Sequence, residues 1–182
     1  MMGNEPAALV TVRPEVPMGA FHGIGYVCTL GVVDALRASN VDAGVSWPFG
    51  VVNAATGAPL ADVRTRAGYD EGMFATCEVW AREAACLPAS DVLAAGIRAR
   101  VDAWAQDVRA GRAKAGPLAP ILSDYYDATA LMGRPVQALY PNGNIMARGT
   151  FVGLDVWGRA TLRTDDGREI EFAPEQASIR RA

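Results

Sequence analysis

Gly149-Thr150-Phe151-Val152-Gly153-Leu154-Asp155-Val156-Trp157-Gly158 lies in the last part of a 182-residue chain, and the fold is read outward from it. It continues a segment, Ile145 to Leu154, that reads as a β-strand. Upstream, Val136, Ala138 and Tyr140 alternate with polar partners as far as Pro141-Asn142-Gly143, a turn sequence that joins antiparallel strands. Downstream, Thr161–Thr164 and Arg168–Phe172 flank a second tight turn, Asp165-Asp166-Gly167. A period of two points Leu162, Ile170 and Phe172 inward and leaves Arg163, Glu169 and Glu171 in water. Some 50 residues of short strands predict a small barrel, and the boundary falls near Met132–Gly133.

The residues before that boundary are written differently. Ala8-Leu9-Val10-Thr11-Val12 reads as a buried strand ended by Arg13-Pro14, because proline cannot donate to a ladder. Residues 20–38 read as a helix with Phe21, Ile24, Cys28 and Ala35 along one stripe and most other positions also apolar. Such a helix is covered on several sides. Val45–Val52 reads as a short strand interrupted by Trp47-Pro48, and Thr56-Gly57 as a turn before a strand near Leu60–Arg66. Gly68–Gly72 breaks the chain before another strand, Met73–Trp80. Ser90-Asp91 is set to cap a helix in which Leu93, Ile97, Val101, Trp104 and Val108 recur at spacings of three and four. Its charges, Arg98, Arg100, Asp102, Asp107 and Arg109, read as a solvated face, and Gly111 as its stop. A further helix is expected from Pro117 or Pro120 to Met132.

Composition excludes several classes of function. The chain is 51% apolar and 20% charged, which supplies a real core. Seventeen Lys and Arg against twenty Asp and Glu give a net charge of −3, so no general nucleic-acid binder is expected. No apolar run reaches the roughly 18–20 residues that cross a membrane, and the N-terminus lacks the pattern of a signal peptide. A cytoplasmic location is expected. Cys28, Cys77 and Cys86 form no C-x-x-C pair, and His22 is the sole histidine, so neither a disulfide framework nor a metal site is expected. His22 lies in an apolar segment and reads as a buried or cap-bonded side chain rather than a triad base.

Two stretches together resemble a known family. Val45-Ser46-Trp47-Pro48-Phe49-Gly50, following the helix that ends Val33-Asp34-Ala35-Leu36, resembles the point at which biotin–protein ligases carry Lys-Trp-Pro-Asn-Asp. Gly133-Arg134-Pro135-Val136, then Gly149–Gly158, then Ala177-Ser178-Ile179-Arg180, resemble that family's C-terminal SH3-like domain in order and spacing. The resemblance implies a biotin/lipoate ligase-like α/β fold: a mixed sheet with packed helices over residues 1–132, then an SH3-like β-barrel over 133–182. It also implies a chemistry. Family members join biotin to ATP and pass the biotinyl group to a lysine of an acceptor protein, using fixed cations, backbone N–H groups and Mg²⁺ against the developing charge.

The sequence departs from the family at the positions that carry this chemistry. Ser46 stands where the motif has lysine, and Phe49-Gly50 replace its two polar residues. Against the family's second lysine stretch, Ala58-Pro59-Leu60-Ala61-Asp62-Val63 puts Pro59 on the lysine and Asp62 on a glycine. The Gly/Arg-rich loop precedes the first strand in the family, and roughly 70–90 residues of a usual catalytic domain are expected to be missing here. Arg180 matches an arginine that reaches the nucleotide in some members. One lost charge-stabilising donor costs about 10²–10³ in rate, so no residue is assigned as catalytic.

The resemblance implies Ser46, Trp47, Pro48 and Arg180 as ligand-binding candidates. Trp47-Pro48 reads as a core tryptophan closing a sheet end in preference to a pocket wall. Arg180 with Arg181 reads as a solvated chain end, and Arg64 with Arg66 as exposed arginines near Asp62 and Asp70. The reading preferred is a degenerate ligase-like protein that keeps an acyl-ligand pocket or a partner-binding role. One alternative is an active biotin or lipoate ligase, using biotin, ATP and Mg²⁺, completed by a complementary subunit and acting on an acceptor protein. Another is a purely structural or regulatory interaction protein. Exposed sheet edges would favour a partner chain or a homodimer.

Overall fold

The computed structural model describes residues 5–82 and 87–182, so Cys86 lies outside the described residues. The chain folds as a mixed α/β structure with two five-stranded antiparallel sheets. The first has the order β1 (Ala8–Val12), β5 (Met73–Ala81), β4 (Pro59–Tyr69), β3 (Gly50–Asn53) and β2 (Ala43–Ser46). Its named strands pair antiparallel throughout, and Val45 forms an isolated parallel bridge with Thr129. The alternation in β1 is strict: Ala8, Val10 and Val12 are buried while Leu9 and Thr11 are exposed. Opposite them, Val79, Cys77 and Ala75 of β5 are buried too, and this face lies under helices α1 (Ile24–Ala38) and α2 (Ser90–Arg109).

α1 is preceded by a 3-10 turn, Met18–Gly23, so the predicted helix begins as a tighter coil. From Met18 to Ala38 the segment is long and apolar enough to cross a membrane, contrary to the sequence expectation. Of its most apolar 18-residue stretch 78% is nonetheless buried inside the fold, as in a core helix. Glycine decides how closely the helices meet. A Cβ on Gly31 would stand 2.6 Å from the Ile97 backbone, and one on Gly96 would stand 2.6 Å from the Gly31 carbonyl oxygen. On α2, Leu93, Ile97, Val101 and Trp104 are buried as their spacing predicts. The cap differs from expectation: Ala89 is the N-cap and Ser90 the first helical residue. Nor are all the charges of α2 merely solvated, since Arg100 pairs with Asp34 of α1 and with Asp124.

The structure corrects three further expectations, the first in the segment after α2. Only Leu122–Ala128 forms a helix, α3, and Thr129 leaves it in extended conformation. There the backbone turns to the sheet, and the Ala130 N–H donates to the Val45 carbonyl. The strand expected over Val45–Val52 is two strands, β2 and β3, paired across the Trp47-Pro48-Phe49 turn, with a cis peptide between Trp47 and Pro48. His22 is exposed on the 3-10 turn rather than buried.

The second sheet has the order β10 (Ser178–Arg181), β6 (Pro135–Leu139), β7 (Ile145–Leu154), β8 (Ala160–Arg163) and β9 (Glu169–Phe172). This is the expected SH3-like arrangement as an open five-stranded order, with β10 and β9 at its two ends. Val136, Ala138, Phe151, Leu162 and Phe172 are buried, and they join one continuous core with the first sheet and its helices. Adding a methyl group at Gly31 should force α1 and α2 apart and cost about 1–3 kcal/mol of stability, typical of overpacking. Gly72→Ala, where nothing lies within 4 Å of the new Cβ, is the matched control. Urea unfolding of both variants checks this.

Candidate site at the Trp-Pro turn

The turn between β2 and β3 carries three of the four candidate residues to the seam between the two sheets. Trp47 is 1% exposed, and its Nε1–H donates to the Gly158 carbonyl at 2.8 Å. Tyr26 of α1 donates its hydroxyl to the same oxygen at 2.9 Å. Ser46 Oγ donates to the Ile179 carbonyl at 3.1 Å, and the Ile179 N–H donates to the Trp47 carbonyl at 3.2 Å. Pro48 offers its carbonyl to the buried Tyr125 hydroxyl. The end of β2 and the turn that follows it are thereby fastened to β10, the last strand of the chain.

Phe49 turns inward. Its ring meets Tyr26 edge-on at 4.9 Å, and Tyr26 meets Tyr125 at 5.2 Å. An aromatic here fills the core beneath the turn, where the family motif carries a polar residue. Burial pushes the phenol of Tyr26 up from its ordinary value, with Glu175 and Asp155 adding to the shift. Burial does the same for Tyr125, reinforced by Tyr26.

Beside the turn is a cleft of about 320 Å³, lined among others by Ser46, Phe49, Gly50, Asp62 and Ser178. No lysine or arginine is in that lining, and its single carboxylate, Asp62, is salt-bridged to Arg82. The cleft opens on the sheet face that no helix covers. Register sets Leu9 opposite Glu78 on β5, which in turn faces Arg64 on β4; Thr76 likewise faces Arg66, and Trp80 faces Asp62. Arg64 lies over the Trp80 ring at 5.2 Å, and Trp80 donates to Glu78 at 2.9 Å. Arg180 stands apart, exposed on β10, donating to the side-chain oxygen of Gln137 at 3.0 and 3.2 Å.

The structure therefore brings Ser46, Trp47 and Pro48 together and leaves the Arg180 guanidinium on the neighbouring strand, outside the cleft lining. Among the described residues no group of three His, Cys, Asp or Glu is placed to hold a metal ion. With one carboxylate already paired and no cation in the wall, these residues do not fit Mg²⁺ with nucleotide phosphates. Sequence reasoning missed Tyr26 and Tyr125. A tyrosine inside an otherwise apolar helix was the available signal, since a buried hydroxyl needs a partner.

Comparisons place this geometry in a known setting. The family model described as Biotin protein ligase C terminal domain matches residues 131–173. No curated protein matches the chain. Among solved structures, the biotin protein ligase from Aquifex aeolicus in complex with biotin and ATP superposes with a TM-score of 0.64 at 14% identity, covering 94% of this chain and 76% of that one. A biotin protein ligase-like protein of unknown function from Silicibacter sp. TM1040 gives 0.61 at 19%, covering 91% and 76%. The biotin acetyl coenzyme A carboxylase synthetase from Helicobacter pylori, with bound biotinylated ATP, gives 0.51 at 12%, covering 90% and 73%. The resemblance read from the sequence holds at the level of fold, which is that of biotin protein ligases, and residues 131–173 match that family's C-terminal domain.

The shared Gly158 oxygen makes a specific prediction. Tyr26→Phe alone leaves the carbonyl one donor and should cost about 1 kcal/mol. In a Trp47→Phe background the same change strands a buried acceptor and should cost about 1–3 kcal/mol, so a double-mutant cycle will be non-additive. The phenols also set an alkaline limit. Their folded pKa values lie above the unfolded value of about 10, so stability holds below that pH and falls as pH rises beyond it. Unfolding midpoints measured from pH 8 upward should fall less steeply in Tyr26→Phe than in the parent.

Proposed function

We propose, for a chain with the biotin protein ligase fold and that family's C-terminal domain, that the Ser46–Asp62 cleft binds a small acyl ligand without forming its adenylate unaided. One observation carries this reading: the cleft wall holds a carboxylate and no cation. Activating a carboxylate with ATP builds negative charge on phosphorus, and the wall has nothing to meet it. The hydroxyl of Ser46, at the motif lysine's position, is bonded to the Ile179 carbonyl. What is left suits the neutral body of an acyl group: the Phe49 edge, Gly50 and the flank of Val63. Biotin and lipoate are the acyl groups the fold suggests, and the cytoplasm is the expected compartment.

A second reading has its own support. Arg64 and Arg66 stand on the uncovered sheet face with no salt bridge among the described residues, and β1 is an edge strand with Leu9 63% exposed. A complementary subunit seated there would complete a ligase that acts on an acceptor protein. A protein kept only for its surfaces, including self-association, is the third outcome.

Thermal unfolding separates the first reading from the third. Biotin, lipoate, ATP with Mg²⁺ and a non-hydrolysable biotinyl-adenylate analogue are each added alone. A ligand at about 100 times its Kd contributes roughly 2.7 kcal/mol, a rise of several degrees. The proposal expects a rise with biotin or lipoate, none with ATP, and no pyrophosphate release on mixing the two. Pyrophosphate release by the chain alone overturns it. No rise with any ligand leaves the interaction protein.

A further inference from the structure

A second pocket, about 340 Å³, shares no lining residue with the cleft. Gly19 and Ala20 of the 3-10 turn form one wall, Val108 at the end of α2 and Pro117 another, and Trp157 closes the side contributed by the C-terminal domain. Lys114 stands in the lining and is the only lysine in the chain. The volume falls in the range of small-ligand sites, which favour seams between structural units and apolar walls with few polar groups.

These walls are held in place by bonds that do not need a ligand. The Trp157 N–H donates to Asp155 Oδ1 at 2.9 Å and the Gly158 N–H to the Asp155 carbonyl at 3.0 Å, fixing the turn that projects the indole. The Leu118 N–H donates to the Val156 carbonyl at 3.0 Å, and Trp104 Nε1–H donates to the Pro117 carbonyl at 2.9 Å. Gly116 passes so close that a Cβ would lie 2.7 Å from the Val156 carbonyl oxygen. The pocket is thus formed in advance.

Two of its groups have no side-chain partner among the described residues. Trp157 is 51% exposed, whereas Trp47 and Trp104 are each 1% exposed. Lys114 is exposed and makes no salt bridge among the described residues, while Arg112, two residues away, is paired with Asp107. An indole face beside apolar walls takes a flat apolar body, and one ammonium takes one negative charge. A phosphate dianion would meet a single cation and otherwise hydrocarbon.

We propose that this pocket binds a small organic monocarboxylate, its apolar body against Trp157 and Pro117 and its carboxylate on the Lys114 ammonium. The site is independent of whatever the Ser46–Asp62 cleft binds. The test uses 4-phenylbutyrate and its neutral amide as probes, titrated into the ¹⁵N-labelled full chain while the tryptophan indole N–H resonances are followed. Trp157→Phe assigns its own signal. Saturable movement of the Trp157 resonance with the acid, in the millimolar range of a small fragment, is expected. Lys114→Met should weaken the acid about three- to fivefold and leave the amide unchanged. Gly19→Phe, where nothing lies within 4 Å of the new Cβ, should abolish both. The proposal is overturned if Trp157 does not move saturably, if only Trp80 on the open sheet face responds, or if Lys114→Met binds the acid as tightly as the parent.

Discussion

One backbone oxygen, that of Gly158, joins the two units of this fold. It accepts from Tyr26 on the central helix and from Trp47 in the β2–β3 turn, and both donors are buried. A buried carbonyl without donors costs a few kcal/mol, and a buried indole or phenol N–H or O–H costs a similar amount. Three polar groups are thus satisfied together or left stranded together. The helix, the turn and the C-terminal sheet must therefore take their observed places at once. Phe49, Tyr125 and the Ile179 contacts are arranged around that constraint.

The same arrangement accounts for what became of the Trp-Pro motif. Its tryptophan and proline serve the seam, its serine is bonded across it, and the next residue packs into the core. A side chain committed to holding two units together is not free to move onto a ligand. Asp62 lies in the neighbouring cleft and is neutralised by Arg82. The cleft is of mixed polarity, and its lining offers no cation to the phosphates of a nucleotide.

Much of the fold was legible in the residues. β1, β6, β8, β9 and α2 follow from period-two and period-3.6 patterning, because burial of one face dictates both the pattern and the element. The chain from Gly116 to Gly133 was not legible. Its apolar residues suit a helix, yet Pro117 and Pro120 and the diversion of Ala130 to Val45 leave only one short helix there. At the site, Ser46, Trp47 and Pro48 were found through a local motif. Tyr26 and Tyr125 escaped because their partners lie 132 and 77 residues away. Pairings of that separation leave no local trace, and only a polar tip in an apolar stretch hints at them.

That separation also governs the order in which the chain can fold. The bonds across the seam span 111, 132 and 133 residues. Helix α1 emerges early in synthesis, yet its Tyr26 finds its acceptor only after β7 and the turn to β8 have been made. Until then the nascent chain exposes a wet tryptophan and an apolar sheet edge. Contacts this distant in sequence slow folding, because loop closure is paid before burial rewards it. The nascent chain is most vulnerable to aggregation in the interval between release of β5 and closure of the C-terminal sheet.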